Sequence, residues 1–232
     1  EISLSSLSTS DYGDLSGLTE CMLDYCEPRH ISLSLPSLRA DSFSAELMER
    51  VQKTRKSGLT FACEAGTQRL RDVINKNIRE EDVLHACEIA FQGGWNNVKL
   101  YFMMGLPTET YEDLDGISDI CKKVAYCWRE NTPNRARGVR ITASASCFVP
   151  KPQTPFQWDA QDTLEQFREK QAHLKVVMKT KNVTYNWHDA ETSVLEGVIA
   201  RGDRRQGKAI LLAWQRGCKM DGWDQCFSYE KW

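Results

Sequence analysis

The sequence predicts an α/β protein built as a partial parallel (β/α) barrel, its first unit missing, with a C-terminal helical extension. Three observations predict it. Short apolar runs bounded by Gly, Pro and polar turns alternate with stretches at helical spacing, five times over, at intervals of roughly 30 to 45 residues, the rhythm of βα units. The run 98–104 is mostly apolar and aromatic, which suits a strand covered on both faces. That run stops at Gly105-Leu106-Pro107, and a parallel strand ending in a Gly-Pro turn leaves bare backbone at the carboxyl edge of its sheet, where α/β folds bind ligands. Five units are too few for a closed eight-stranded barrel. An open doubly wound sheet is the structural alternative.

The elements follow in order. Ile2 and Leu4 alternate with serines as a strand, and residues 8–13 form a polar turn. Leu15, Leu18, Met22, Leu23 and Tyr25 fall at helical spacing before Pro28. Residues 31–35 alternate again and stop at Pro36. Ser44 is placed to cap a helix carrying Leu47, Met48 and Val51, closed by Gly58. A strand over 59–63 turns at Glu64-Ala65-Gly66-Thr67 into a helix bearing Leu70, Val73 and Ile74. A helix over about 80–91 closes at Gly93-Gly94, and the strand ending at Gly105 follows.

Thr108 or Thr110 can cap the next helix, about 111–128, with Glu109, Glu112 and Asp113 near its positive end. A fifth strand spans 138–148, and a long helix covers about 162–179. The chain divides into a barrel over 1–181 and an extension over 182–232. The extension holds a short strand over 183–187, helices over about 190–200 and 206–216, and an aromatic tail.

The totals set bounds. Thirty basic and 32 acidic residues nearly balance, so net charge argues for neither nucleic acid nor membrane. No apolar run approaches the roughly 20 residues of a membrane span, and no secretory signal is visible, so a cytoplasmic protein is expected. The chain opens on Glu1 inside a strand-like pattern, which reads as a fragment starting in mid-domain. Nine cysteines are present, none spaced C-x2-C. Buried reduced thiols are the expectation.

Three strand ends carry chemistry. The Glu64 carboxylate can accept both hydroxyls of a ribose. Backbone groups at Gly105-Leu106-Pro107 can read an adenine edge, and Val149-Pro150 ends the fifth strand beside them. Ser5, Ser6 and Ser8 offer hydroxyls to the polar end of an amino acid. Each alone is also ordinary turn chemistry. His188-Asp189 reads as an acid–base pair or, preferably, as a loop residue beside a helix cap. Gly202-Asp203 reads as a helix stop and a cap. Six basic residues and one acid lie between Arg201 and Lys219, with Trp214 among them. They form either a solvated face or a surface for RNA.

The segments 58–76 and 99–110 resemble the radical S-adenosylmethionine (SAM) superfamily. With 187–189, 200–205 and 217–223 they are similar to uncharacterised members that carry a cobalamin-binding-type domain ahead of the barrel. The resemblance implies a partial (β/α)6 barrel entered at its second strand. It also implies a 4Fe-4S cluster on a C-x3-C-x2-C loop, SAM bound to that cluster, and reductive cleavage of SAM to a 5′-deoxyadenosyl radical. An electron donor such as flavodoxin or ferredoxin is implied, and cobalamin is implied for the full-length protein. The substrate, RNA or protein among the classes considered, is not legible, and no catalytic residue is assigned.

No C-x3-C-x2-C occurs here, so the motif is expected upstream of Glu1 and the chain alone is expected to be inactive. By resemblance, Ser5 and Ser6 approach the methionine amino group, and Glu64 approaches the ribose or carboxylate. Arg69 pairs with the methionyl carboxylate. Gly105, Leu106 and Pro107 flank adenine, as does the backbone of Phe148, Val149 and Pro150. The alternative is a non-catalytic module on a βα scaffold that docks RNA or a protein through the basic C-terminal segment.

Overall fold

The computed structural model describes residues 2–3, 12–31, 33–34 and 59–232. Ser5, Ser6 and the helix expected after Ser44 lie outside the described residues. Strand β1 (Ile2–Ser3) pairs in parallel with β2 (Leu33–Ser34). Between them runs α1 (Leu15–Cys26), whose Asp14 side chain accepts the Gly17 N–H as an N-cap. Leu23 and Cys26 are buried, but Tyr25 is exposed and stacks under Arg29 instead.

The main sheet has four parallel strands in chain order: β3 (Leu59–Glu64), β4 (Asn97–Met104), β5 (Arg140–Cys147) and β6 (Val183–Trp187). Helix α2 (Gln68–Val73) and helix α3 (Glu80–Gln92) connect β3 to β4, α4 (Tyr111–Asn131) connects β4 to β5, and α5 (Leu164–Val177) connects β5 to β6. Helices α6 (Ala190–Arg201) and α7 (Gln206–Gln215) follow. This is the α/β architecture expected of a partial (β/α) barrel. β6, which heads the expected extension, is the fourth strand of the sheet, and Ala190 just beyond it lies in the main core.

The caps are local and legible. Thr67, Thr163 and Asp189 each accept a backbone N–H at a helix start. Thr110, not Thr108, opens α4, and its N–H and hydroxyl both donate to Asp113. Gly93 and Gly94 end α3, the latter at φ +80°. Asp203 is not the cap of α7. It accepts the N–H of Arg205, the residue preceding the helix, and pairs with its guanidinium.

The two faces of the sheet differ. Leu59, Phe61, Val98, Leu100, Phe102 and Ile141 point to one side, where α3, α4 and α5 pack on them. Each such side chain contributes about 1.5–3 kcal/mol by burial. The other side is open. In β4 its residues are Asn97, Lys99, Tyr101 and Met103, all exposed or half-buried, alternating strictly with buried neighbours. The strand is therefore covered on one face, not both. Arg140 and Thr142 continue that open side in β5 across the register, Asn97 opposite Arg140 and Lys99 opposite Thr142.

Candidate functional site

The ends of β3, β4 and β5 lie side by side, and most predicted residues gather there. Glu64 closes β3 at φ +63°, next to a register shift between Ala62 and Glu64. A non-glycine residue held left-handed costs about 1–3 kcal/mol, and such positions cluster at functional sites. Its Oε1 accepts from Lys76 Nζ at 2.9 Å, with the glutamate side chain 24% exposed. Oε2 has no partner among the described residues.

The turn after β4 is gripped from both neighbouring units. On the β3 side, Arg69 pairs with Asp113 and donates to the Thr108 carbonyl at 2.9 Å. Thr67 also donates to Asp113. Burial opposes the charge of Asp113, yet the Thr67 hydroxyl, the Thr110 amide and Arg69 hold its carboxyl below the ordinary aspartate range. Behind this pair the chain passes close to α4: a Cβ on Gly66 would meet the Asp113 carbonyl at 2.2 Å, and one on Gly116 would meet the Gly66 carbonyl at 2.7 Å. Only glycine permits that crossing.

On the β5 side, the Gly105 N–H donates to Glu109 at 2.8 Å. Glu109, with its side chain 1% exposed, pairs with Lys170 at 2.8 Å, and Lys170 pairs with Asp162 at 2.6 Å. Burial pushes the Glu109 carboxyl up despite the lysine. Burial also works against the Lys170 charge, but hydrogen bonds to Asp162 and Glu109 raise its pKa. Gly105 itself sits at φ +81°, and a Cβ there would strike Asp162 and Phe167 at 2.7 Å.

Leu106 and Phe148 are buried with Ala65 and Leu70 in a small apolar cluster at this edge, flanked by Met103 and Phe156. The Phe148 N–H donates to the Met104 carbonyl at 2.8 Å. Its carbonyl accepts from Gln161 at 3.4 Å. Pro150 is buried, and Pro107 and Val149 are half-exposed. The structure thus brings together Glu64, Gly105, Leu106, Pro107, Phe148, Val149 and Pro150. Arg69 is next to them, but its guanidinium is engaged with Asp113 and Thr108. Sequence reading missed the grip of Asp113, Glu109, Lys170 and Asp162. A T-x-x-D capping signal marked Asp113, and nothing local marked Lys170.

The remaining candidates separate from this edge. His188 is exposed, and Asp189 caps α6. Arg201 donates to the Asp159 and Gln157 carbonyls, and Arg216 to the Lys231 carbonyl, so these two cations of the tail are used within the fold. Burial pushes the thiols of Cys63 and Cys121 up to about 12 and that of Cys147 to about 11, which makes them inert. Among the described residues no three Cys, His, Asp or Glu side chains form a metal site. They do not fit an iron–sulfur cluster. No helix among them is long and apolar enough to cross a membrane.

Two comparisons with known proteins find similarity. The model of the radical SAM superfamily matches residues 1–121 of 232. An uncharacterised protein of Methanocaldococcus jannaschii is 32% identical over 198 residues, which cover 85% of this chain and 41% of that protein. The chain therefore spans about two-fifths of the length of this relative.

Proposed function

We propose a function from one premise: this chain belongs to the radical SAM superfamily. The whole protein is proposed to cleave SAM reductively and to modify a substrate with the radical produced. The observation that carries the reading is the alignment of three strand ends, with Glu64, Gly105–Pro107 and Phe148–Pro150 converging on one edge. Glu64, half-buried with one oxygen free among the described residues, suits a ribose diol. The held turn at Gly105, with Leu106 and Phe148, suits the flat face of adenine. Arg69, whose guanidinium pairs with Asp113 and is half-exposed, is proposed for the methionyl carboxylate on resemblance alone.

A 4Fe-4S cluster, when bound, supplies the electron that cleaves SAM. The 232 residues contain no C-x3-C-x2-C, so its ligands are proposed to lie outside them. An electron donor of the flavodoxin or ferredoxin class, a cytoplasmic setting and cobalamin in the whole protein are proposed on resemblance alone. The division into a barrel over 1–181 and an extension over 182–232 is proposed from the change of sequence character after Lys181, with β6 pairing to the barrel sheet across that boundary. The alternative is a binding module working through its basic tail, in which Arg201 and Arg216 donate to carbonyls within the fold while Arg204, Lys208 and Lys219 stand exposed.

The test is anaerobic reconstitution of the full-length protein with iron and sulfide, followed by reductant and SAM. Formation of methionine and 5′-deoxyadenosine is expected. A reconstituted protein that leaves SAM intact overturns the enzyme reading. Binding of S-adenosylhomocysteine to the protein without its cluster, weakened at least tenfold by Gly105→Val, would support the adenine wall separately.

A further inference from the structure

Helix α7 (Gln206–Gln215) has no task in the SAM site. A surface helix of a globular protein ordinarily turns its apolar side chains inward. Here Ala213 is buried, but Ile210, Leu211, Leu212 and Trp214 are each about half exposed. The helix is nonetheless anchored. The Gln206 side chain donates to the Val198 carbonyl at 3.4 Å at one end, and Ala213 and Cys218 are buried at the other. The exposed residues and their anchors all lie between 198 and 219.

The exposed residues are not scattered. At about 100° per residue, Gly207, Ile210, Leu211 and Trp214 share one face of α7, at the i, i+3, i+4, i+7 spacing of a helix-contact stripe. Leu212, Lys208 and Arg216 fall off that stripe. A Cβ on Gly207 would meet nothing within 4 Å. The stripe therefore holds an open notch one heptad before its largest side chain. Few cations border it. Arg205 pairs with Asp203, and Arg216 donates to the Lys231 carbonyl. The Lys219 ammonium lies 5.4 Å from the centre of the Trp214 ring.

We propose that this stripe is a contact between two copies of the chain, packed as an antiparallel helix pair about a two-fold axis between Ile210 and Leu211. The sequence is self-complementary about that point. Trp214 of one copy comes opposite Gly207 of the other, in both directions, and Ile210 comes opposite Leu211. An isologous contact needs such large-against-small matching, since one surface must fit itself. Arg205 and Arg216 come to the same height, but on the outer side of the pair, so no like charges meet in the seam. A membrane surface would favour cations along both borders and has no use for a notch. With Val198 and Ile199, exposed at the adjoining end of α6, the stripe offers roughly 500 Å² of apolar surface per copy, about the apolar share of an interface of standard size. The proposal is independent of the SAM reading.

The test is light scattering after size exclusion of the full-length protein across a concentration series. The mass of two chains is expected. Leu211→Glu should give the mass of one chain with an unchanged melting temperature. Leu212→Glu should remain a dimer, because Leu212 is as exposed as Leu211, 53% against 54%, but lies off the stripe. Gly207→Leu should raise the dimer dissociation constant by roughly tenfold or more, because it fills the notch, although leucine favours a helix over glycine. A single-chain mass for the unaltered protein overturns the proposal. So does an equal response to Leu211→Glu and Leu212→Glu, or a tighter dimer with Gly207→Leu. A single-chain protein that Leu211→Glu destabilises would assign the stripe to another segment of the full-length chain. One that binds anionic vesicles through Leu211 would assign it to a membrane. Either result overturns the dimer.

Discussion

The two sides of the main sheet are made by the same strands and do different things. The helix side is a packed apolar layer in which Phe61, Phe91, Phe102 and Phe167 are fully buried. The open side, one residue out of step, carries Asn97, Lys99, Tyr101, Arg140 and Thr142. Period-two alternation lets one strand serve both purposes, because adjacent side chains point to opposite sides. The lesson is that a packed layer and an open one are separated by a single residue along β4.

The sharpest way to break this comparison is to substitute neighbours. Phe102→Ala should lose about 3–5 kcal/mol of stability in chemical denaturation, the usual outcome for a buried aromatic. Tyr101→Ala should lose less than about 1 kcal/mol. Equal losses would mean that the two sides are not distinct. At the rim between them, Lys170→Met would leave Glu109 buried beside Asp162 without a cation. It should cost about 2–4 kcal/mol. Adding Glu109→Gln should recover part of the loss, a non-additivity that a double-mutant cycle reads directly.

A pH titration of stability sharpens the same rim. The Asp113 carboxyl is held below its ordinary value of 3.8 in the folded protein. The unfolded chain therefore binds the proton first, so Asp113 contributes stability above that value and loses it as pH falls through the folded pKa. Asp113→Asn should remove this acid-side step while leaving the alkaline limb as it was. The smallest effect is expected far from the sheet's centre, where Asp189→Ala should cost about 1 kcal/mol through loss of the α6 cap. Unchanged melting in that variant would show that Asp189 is not needed to start the helix.

Much of the fold was legible in local pattern. β4 ends at Met104, where Gly105 and Pro107 stop it, and Thr163 and Asp189 start helices as short polar residues do. The open side of β4 was misread because Leu100, Phe102 and Met104 dominate the run and Tyr101 counts as apolar on composition. Lys99 and Asn97 were the signal that one side is wet. The candidate site was legible as strand-end turns. Its supports were not, because Arg69 meets Asp113 across 44 residues and Lys170 meets Glu109 from another βα unit. Arg69 looked available for a ligand for the same reason: a charge partner distant in sequence cannot be seen from spacing.

The turn from Gly105 to Thr110 is tied through Arg69 to one neighbour and through Lys170 to the other. A loop held in this way has one shape fixed by the fold itself, which suits the proposed role at an adenine site. The conformational entropy of arranging it is lost during folding, so association has no loop to order. Calorimetry of adenosine-type ligands should then show little unfavourable ordering entropy from the protein. Loosening either tie should weaken affinity through entropy, with the contacts to the ligand left the same.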